Sequence, residues 1–257
     1  MKIIHKPIKR LAFLAASLLT FAGFATQAAE APPPPGVLVA FACNFNDGND
    51  MDDLRSARDY YVSESKKAGI STPTAYVWNR FRGGVPFDHI WFDLHANLAA
   101  FAAGAEEYQS ADMSKVDARF AAIETCESNV AMVRPIFQGS EATPPSGSTF
   151  ISSNACTFRD GVGPDDLADL EGHIGAVLGG LDEWKSTSIF AATPVTQGQN
   201  PADIYLFSIH ASPSAWAAGE GALGAAAGIA ALGRHFEGTL DCNSSLWFSE
   251  QVVGGEG

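Results

Sequence analysis

The sequence is short of positive charge, of cysteine and of long apolar runs. Its 257 residues carry 16 Lys and Arg against 29 Asp and Glu, a formal net charge of −13. Four of those cations (Lys2, Lys6, Lys9 and Arg10) fall in the first ten residues, so the remainder is more acidic still. Such a chain repels phosphate backbones and anionic lipid, which removes nucleic acid and membrane surfaces from the expected partners. Beyond the N-terminal region no run reaches eighteen apolar residues, so no membrane span is expected there. A GxxxxGK[ST] phosphate loop, a GxSxG elbow and an HExxH helix are all missing. The four cysteines are far apart and no His follows at finger spacing, so no metal site is expected. Nothing identifies a reaction, and whether the chain is an enzyme stays open. What is present is apolar: 46% of the residues are hydrophobic and only 18% charged, enough for a substantial core and too apolar for a disordered chain.

The N-terminus is a leader. Met1–Arg10 is basic, Leu11–Phe24 is an apolar run of fourteen residues, and the small residues Ala25, Ala28 and Ala29 follow. That order is a secretory signal peptide, with cleavage after Ala28 or Ala29. Residues 1–29 are therefore expected to be removed, leaving a periplasmic or secreted bacterial protein with no membrane attachment. Residues 30–36, with Pro32–Pro35, form an extended spacer.

The mature chain repeats itself. Ala42-Cys43-Asn44-Phe45-Asn46-Asp47-Gly48 returns as Ala155-Cys156-Thr157-Phe158-Arg159-Asp160-Gly161, an offset of 113, and Asp52-Asp53-Leu54 returns as Asp165-Asp166-Leu167. Eight of the thirteen positions in this window are identical. Asp88, Phe92 and His95 recur as Asp203, Phe207 and His210 at offset 115, and Phe120 and Cys126 recur as Phe236 and Cys242 at offset 116. Two copies of one unit are expected, at 37–137 and 149–253, with a Pro/Gly/Ser linker at 138–148 and a short tail at 254–257.

Each unit opens with an apolar strand, Val37–Cys43 or Thr149–Thr157, and an Asp-Gly turn follows. A helix comes next, with Asp50 as N-cap in the first copy and Pro164 at the first helical position in the second. Leu167, Leu170, Ile174, Val177 and Leu181 mark one buried stripe. Two strands follow, Thr74–Phe81 with His89–Leu94, and Ser188–Ala192 with Ile204–Ile209. A second helix begins after Asn97 or at Ser212-Pro213, and a last strand, Val130–Phe137 or Leu246–Val253, closes the unit. The order β-α-β-β-α-β, twice, is an α+β chain of two ferredoxin-like repeats.

The stretch Phe92-Asp93-Leu94-His95-Ala96-Asn97-Leu98-Ala99-Ala100-Phe101, and its partner Phe207-Ser208-Ile209-His210-Ala211-Ser212-Pro213-Ser214-Ala215-Trp216, resemble the strand, cap and helix start of the dimeric α/β-barrel superfamily. The resemblance spans about residues 36–253. It implies an intrachain pseudo-dimer of two sheets, and so a monomer. That superfamily holds haem-degrading monooxygenases, haem peroxidases, cofactor-free oxygenases and members of no known activity, so it implies far more about fold than about function. Haem-degrading members carry their ligand histidine further along the second helix, where this chain has none before His235.

Four cysteines in an exported chain suggest two disulfides. First and last strands are antiparallel neighbours in a split βαβ sheet, which favours Cys43–Cys126 and Cys156–Cys242. The alternative is a cross-unit set, Cys43–Cys156 with Cys126–Cys242.

His95 and His210 are catalytic candidates, because both keep the strand–helix junction and a neutral imidazole there can ligate a metal or move a proton. Asn44 joins them as a polarising group beside the Asp-Gly turn. Trp78, Arg80 and Arg82 have no counterpart in the second copy, where Thr193–Gln197 stands, and are expected to hold an anionic group with Trp91 and Phe45 lining the apolar part. The leading function is an exported protein that binds a small molecule in a pocket of the first repeat. A haem- or oxygen-dependent monooxygenase-like oxidoreductase is the alternative, with haem as its candidate cofactor. A protein-interaction component of the envelope is the third.

Overall fold

The computed structural model describes residues 36–142, 148–196 and 202–253. The leader, most of the spacer, the centre of the linker and the tail lie outside the described residues.

The first half runs β1 (Gly36–Phe45), α1 (Met51–Ala68), β2 (Thr74–Gly83), β3 (His89–His95), α2 (Leu98–Ser110), α3 (Ser114–Ile123) and β4 (Glu124–Gln138). The second runs β5 (Ser148–Phe158), α4 (Pro164–Leu178), a 3₁₀ turn (Asp182–Trp184), β6 (Ser188–Pro194), β7 (Ile204–His210), α5 (Pro213–Ala225), α6 (Ile229–Thr239) and β8 (Leu240–Val253). The eight strands close into one antiparallel barrel, ordered β1-β3-β2-β8-β5-β7-β6-β4. Read by halves, that is β4-β1-β3-β2 joined to β8-β5-β7-β6. The two sheets do not merely face one another: β2 pairs with β8, and β4 with β6, so their edges are hydrogen-bonded to each other. The register of β4 on β6 shifts after Pro135, whose missing N–H cannot serve the ladder.

Local chemistry explains the elements. The Asp-Gly turns place Gly48 and Gly161 at φ of 84° and 80°, a conformation that side chains with a Cβ resist. Asp50 accepts from the backbone N–H groups of Asp52 and Asp53, while the Asp53 carboxylate accepts from the Asp50 N–H. In the second half Pro164 starts α4, and the Asp166 carboxylate accepts from the Gly163 N–H at 2.9 Å. Asp88 and Asp203 make matched bonds: each takes a backbone N–H, from Phe45 and Phe158 respectively, and gives its own N–H to the carbonyl of Cys43 or Cys156. Cys43 is bonded to Cys126 and Cys156 to Cys242, one bridge in each half, both with Cα atoms 4.1 Å apart.

Two details depart from expectation. The single second helix is two in each half. The α2–α3 break falls at residues 111–113, and α5 and α6 diverge by 103° around Gly228, whose φ is 89°. The last strands begin earlier than Val130 and Leu246, at Glu124 and Leu240, so Cys126 and Cys242 sit inside them. Apolar content alone fixed those expected starts, yet the polar residues 124–129 and 241–245 are carried by full ladders on β1 and β5. No single described helix is long and apolar enough to cross a membrane.

Alternation sorts the side chains into three cores. Leu38, Tyr76, Trp78, Phe92, Ile151, Phe207 and Trp247 fill the barrel interior. The outer faces pack under helices. Leu54, Ala75, Val77 and Trp91 do so in the first half; Leu167, Leu170, Ile174, Trp184, Ile204 and Leu240 lead a larger cluster in the second.

Candidate functional site

The barrel interior is not the site. Trp78 lies against Phe92, Phe207 and Trp247, and the space left over is about 110 Å³. That suits a few waters at most.

The usable space lies outside the barrel, between the first sheet and α2–α3. It is a cavity of about 940 Å³, at the upper end of the range for small-molecule sites. Its floor comes from outward positions of β1, β3 and β4: Val39 and Phe41, then Trp91, Asp93 and His95, then Glu124 and Cys126. Its roof is α2, which buries none of its own residues and so stands clear of the sheet. Six aromatic side chains line it (Phe41, Tyr61, Trp91, Phe101, Tyr108 and Phe120). So do four carboxylic acids, Asp93, Glu107, Asp117 and Glu124. Among the described lining residues there is no Lys or Arg.

Burial sets the protonation of this wall. Asp93 accepts from Trp91 Nε1 at 2.7 Å, but desolvation outweighs that bond and pushes its carboxyl up to about 6. Burial, helped by the Asp93 charge, pushes the Tyr61 phenol up to about 12. Tyr108 is raised further, first by burial and then by donating to Asp117 at 2.6 Å. His95 stacks edge-on against Phe101 at 5.5 Å, and its pKa is lowered by burial, which favours the neutral imidazole. One wall thus offers a neutral nitrogen base, a weak acid that titrates within the physiological range, and aromatic faces.

His210 holds the matched place in the second half, and there the space is filled. It is 1% exposed, hydrogen-bonds Thr187 and Ser208, and burial drops its pKa to about 4. The Trp184 indole packs edge-on to it at 5.4 Å and donates to the Gly219 carbonyl at 3.0 Å.

The expected site residues are dispersed. His95 and Trp91 reach the cavity, whereas Trp78 points into the barrel. Phe45 stacks on His89 at 4.4 Å, on the outer face of the sheet but beyond the residues that line the cavity. Asn44 is exposed at the barrel end. Arg80 and Arg82 are exposed: Arg80 donates to Asp88 and to the Val85 carbonyl, and Arg82 donates to the Phe81 carbonyl and stacks on the Phe81 ring. They line neither cavity, because the end of β2 runs out past the barrel rim, so the expected anion-holding pair is replaced by surface contacts. Asp93, which like His89 has no counterpart in the second copy and so points to a site in the first, reaches the cavity, whereas Tyr61, Tyr108, Asp117 and Glu124 were missed. Nothing in the sequence marks those four.

The architecture is the dimeric α/β-barrel fold. Among solved structures, a candidate chlorite dismutase shares 11% identity with this chain at a TM-score of 0.52, covering 85% of this chain and 96% of its own. Candidate monooxygenases from Fusobacterium nucleatum and Lactobacillus acidophilus share 11% and 10%, also at TM-scores of 0.52, and are themselves covered to 96% and 97%. The matches span 86% and 87% of this chain. No family model matches the chain, and no curated protein does.

Proposed function

We propose that this is an exported, monomeric binding protein whose two halves are copies of one βαββαβ unit. Its ligand is a neutral or cationic, largely apolar small molecule held between the first sheet and α2–α3. The observation that carries this is the wall itself, six aromatic rings and four carboxylic acids without a cation. An anionic ligand would enter a low-dielectric space with nothing to neutralise it. A hydrophobic amine would find ring faces for its charge and Asp93 as counter-ion. The experiment is a titration of the mature protein with matched naphthalene probes at pH 7.5. 2-Naphthylmethylamine should raise the melting temperature with saturation and 2-naphthoate should not. Equal stabilisation by both, or by neither, overturns the proposal.

The second functional candidate is a haem-dependent oxidoreductase, the chemistry that the fold admits. The neutral His95 imidazole on a cavity of sufficient volume favours it. The charge of the wall does not fit: porphyrin propionates would face Asp93, Glu107, Asp117 and Glu124 with no Lys or Arg among the described lining residues. Hemin titration separates the two, since a saturable Soret shift lost in His95→Ala would favour the oxidoreductase.

A further inference from the structure

One polar cluster in the first half meets the cavity only through Glu124 and Cys126. Register sets His89, Cys43 and Cys126 side by side on β3, β1 and β4, in one rung of the sheet. Glu124 lies two residues before Cys126, on the same face. His89 is fully buried and Glu124 is 8% exposed, with His89 Nε2 and Glu124 Oε2 at 2.7 Å. The other ring nitrogen, Nδ1, is buried without a hydrogen-bond partner. Ligand-capable atoms of Cys43, His89 and Glu124 all lie within 4.8 Å of one another.

The matched rung of the second half is Ile204, Cys156 and Cys242, with Leu240 in place of Glu124. Its disulfide forms between apolar neighbours, so the bridge does not require a His–Glu pair. An orphaned nitrogen in a buried pair carries a cost that a structural role leaves unexplained.

We propose that Cys43, Cys126 and His89 Nδ1 form a three-ligand site for a zinc-class divalent cation, masked by the disulfide and opened by its reduction. A dithiol reductant supplies two electrons and two protons to the Cys43–Cys126 bond and leaves as its own disulfide. The cation then displaces the two thiol protons and binds both sulfurs. Tetrahedral zinc bonds of about 2.0–2.3 Å put ligand atoms within roughly 4 Å of each other; Cys43 and His89 offer atoms within 4.8 Å, and Cys126, bonded to Cys43, joins them when the bridge opens. Glu124 is the positioning residue: it holds Nε2 and so turns Nδ1 toward the metal. Cys126 and Glu124 line the cavity, which gives reductant and cation an approach and leaves the fourth coordination position facing it. In sequence the ligands are scattered, Cys43 and Cys126 being 83 positions apart, and only the sheet collects them.

The test uses the full mature chain, treated anaerobically with a phosphine reductant and titrated with Co²⁺, whose thiolate charge-transfer and d–d bands report the ligands. One equivalent should bind after reduction and none before. The bands should persist in a Cys156→Ala/Cys242→Ala variant and vanish in Cys43→Ala/Cys126→Ala. His89→Ile/Glu124→Leu, which installs the second half's own residues, should weaken Co²⁺ binding at least 100-fold. Glu124→Gln should weaken it 10–100-fold. The proposal fails if the reduced, folded protein with its thiols titrated shows no bands, or if His89→Ile/Glu124→Leu keeps them. Unfolding on reduction that zinc does not reverse also overturns it. The amine titration uses oxidised protein, so each proposal can fail without the other.

Discussion

The two halves run strands and helices in the same order around unlike interiors. Counting back from the matched strands, Ile70 stands where Trp184 does, Gly104 where Gly219 does, and Asp93 and His95 where Ser208 and His210 do. In the second half the Trp184 indole drives into the space under α5, close enough that a Cβ on Gly219 would sit 3.2 Å from its Nε1. In the first half Ile70 leaves that space open, and Gly104 would meet only the His95 ring edge, at 3.7 Å. Beside the disulfides the polarity also reverses, with His89 and Glu124 facing Ile204 and Leu240. The open and the filled space therefore differ in side-chain volume at matched places in the element order.

The comparison can be broken most forcefully at Trp184. Trp184→Ala should cost about 3–5 kcal/mol and open a second cavity, read by chemical denaturation and by binding of an apolar dye. His89→Ile alone should cost a comparable 3–5 kcal/mol, because it strands a buried Glu124. The double change to Ile and Leu should be neutral or stabilising by about 1–4 kcal/mol. A double-mutant cycle in denaturant checks both. Ile70→Trp should transplant the plug, abolishing amine binding with a loss of at least tenfold in affinity while the melting temperature holds or rises.

The smallest effect is in pH dependence, where the halves should differ in sign. Asp93 has a raised pKa when folded, so its contribution is favourable in acid and is lost as pH rises through about 6. Asp93→Asn should therefore melt above wild type at pH 8 and level with it at pH 4. His210 is lowered when folded, so its contribution is lost as pH falls from the ordinary histidine range toward about 4. His210→Gln should flatten that acid limb and leave pH 8 unchanged.

The scaffold was legible because its signals are local. Asp50 and Pro164 cap helices within one turn, Asp-Gly marks its own turn, and the spacing from Cys43 to Cys156 exposes the likeness of the halves. The cavity was not legible, because it depends on the connection between the first helix and the second strand. There Ile70 and Trp184 share no flanking motif that would align them. Aromatic residues misled for a related reason. Trp78, Trp91 and Phe45 read as one cluster, yet β2 sends Trp78 inward while β3 and β1 send Trp91 and Phe45 outward. Glu124 was hidden by a strand start placed too late, on apolar content alone.

Closure within a single polypeptide carries a further consequence. A barrel assembled from two identical chains must repeat every substitution on both sides, so it has two pockets or none, and it can come apart on dilution. Here β2–β8 and β4–β6 are intramolecular seams, which lets one side keep an open cavity while the matched place on the other is filled.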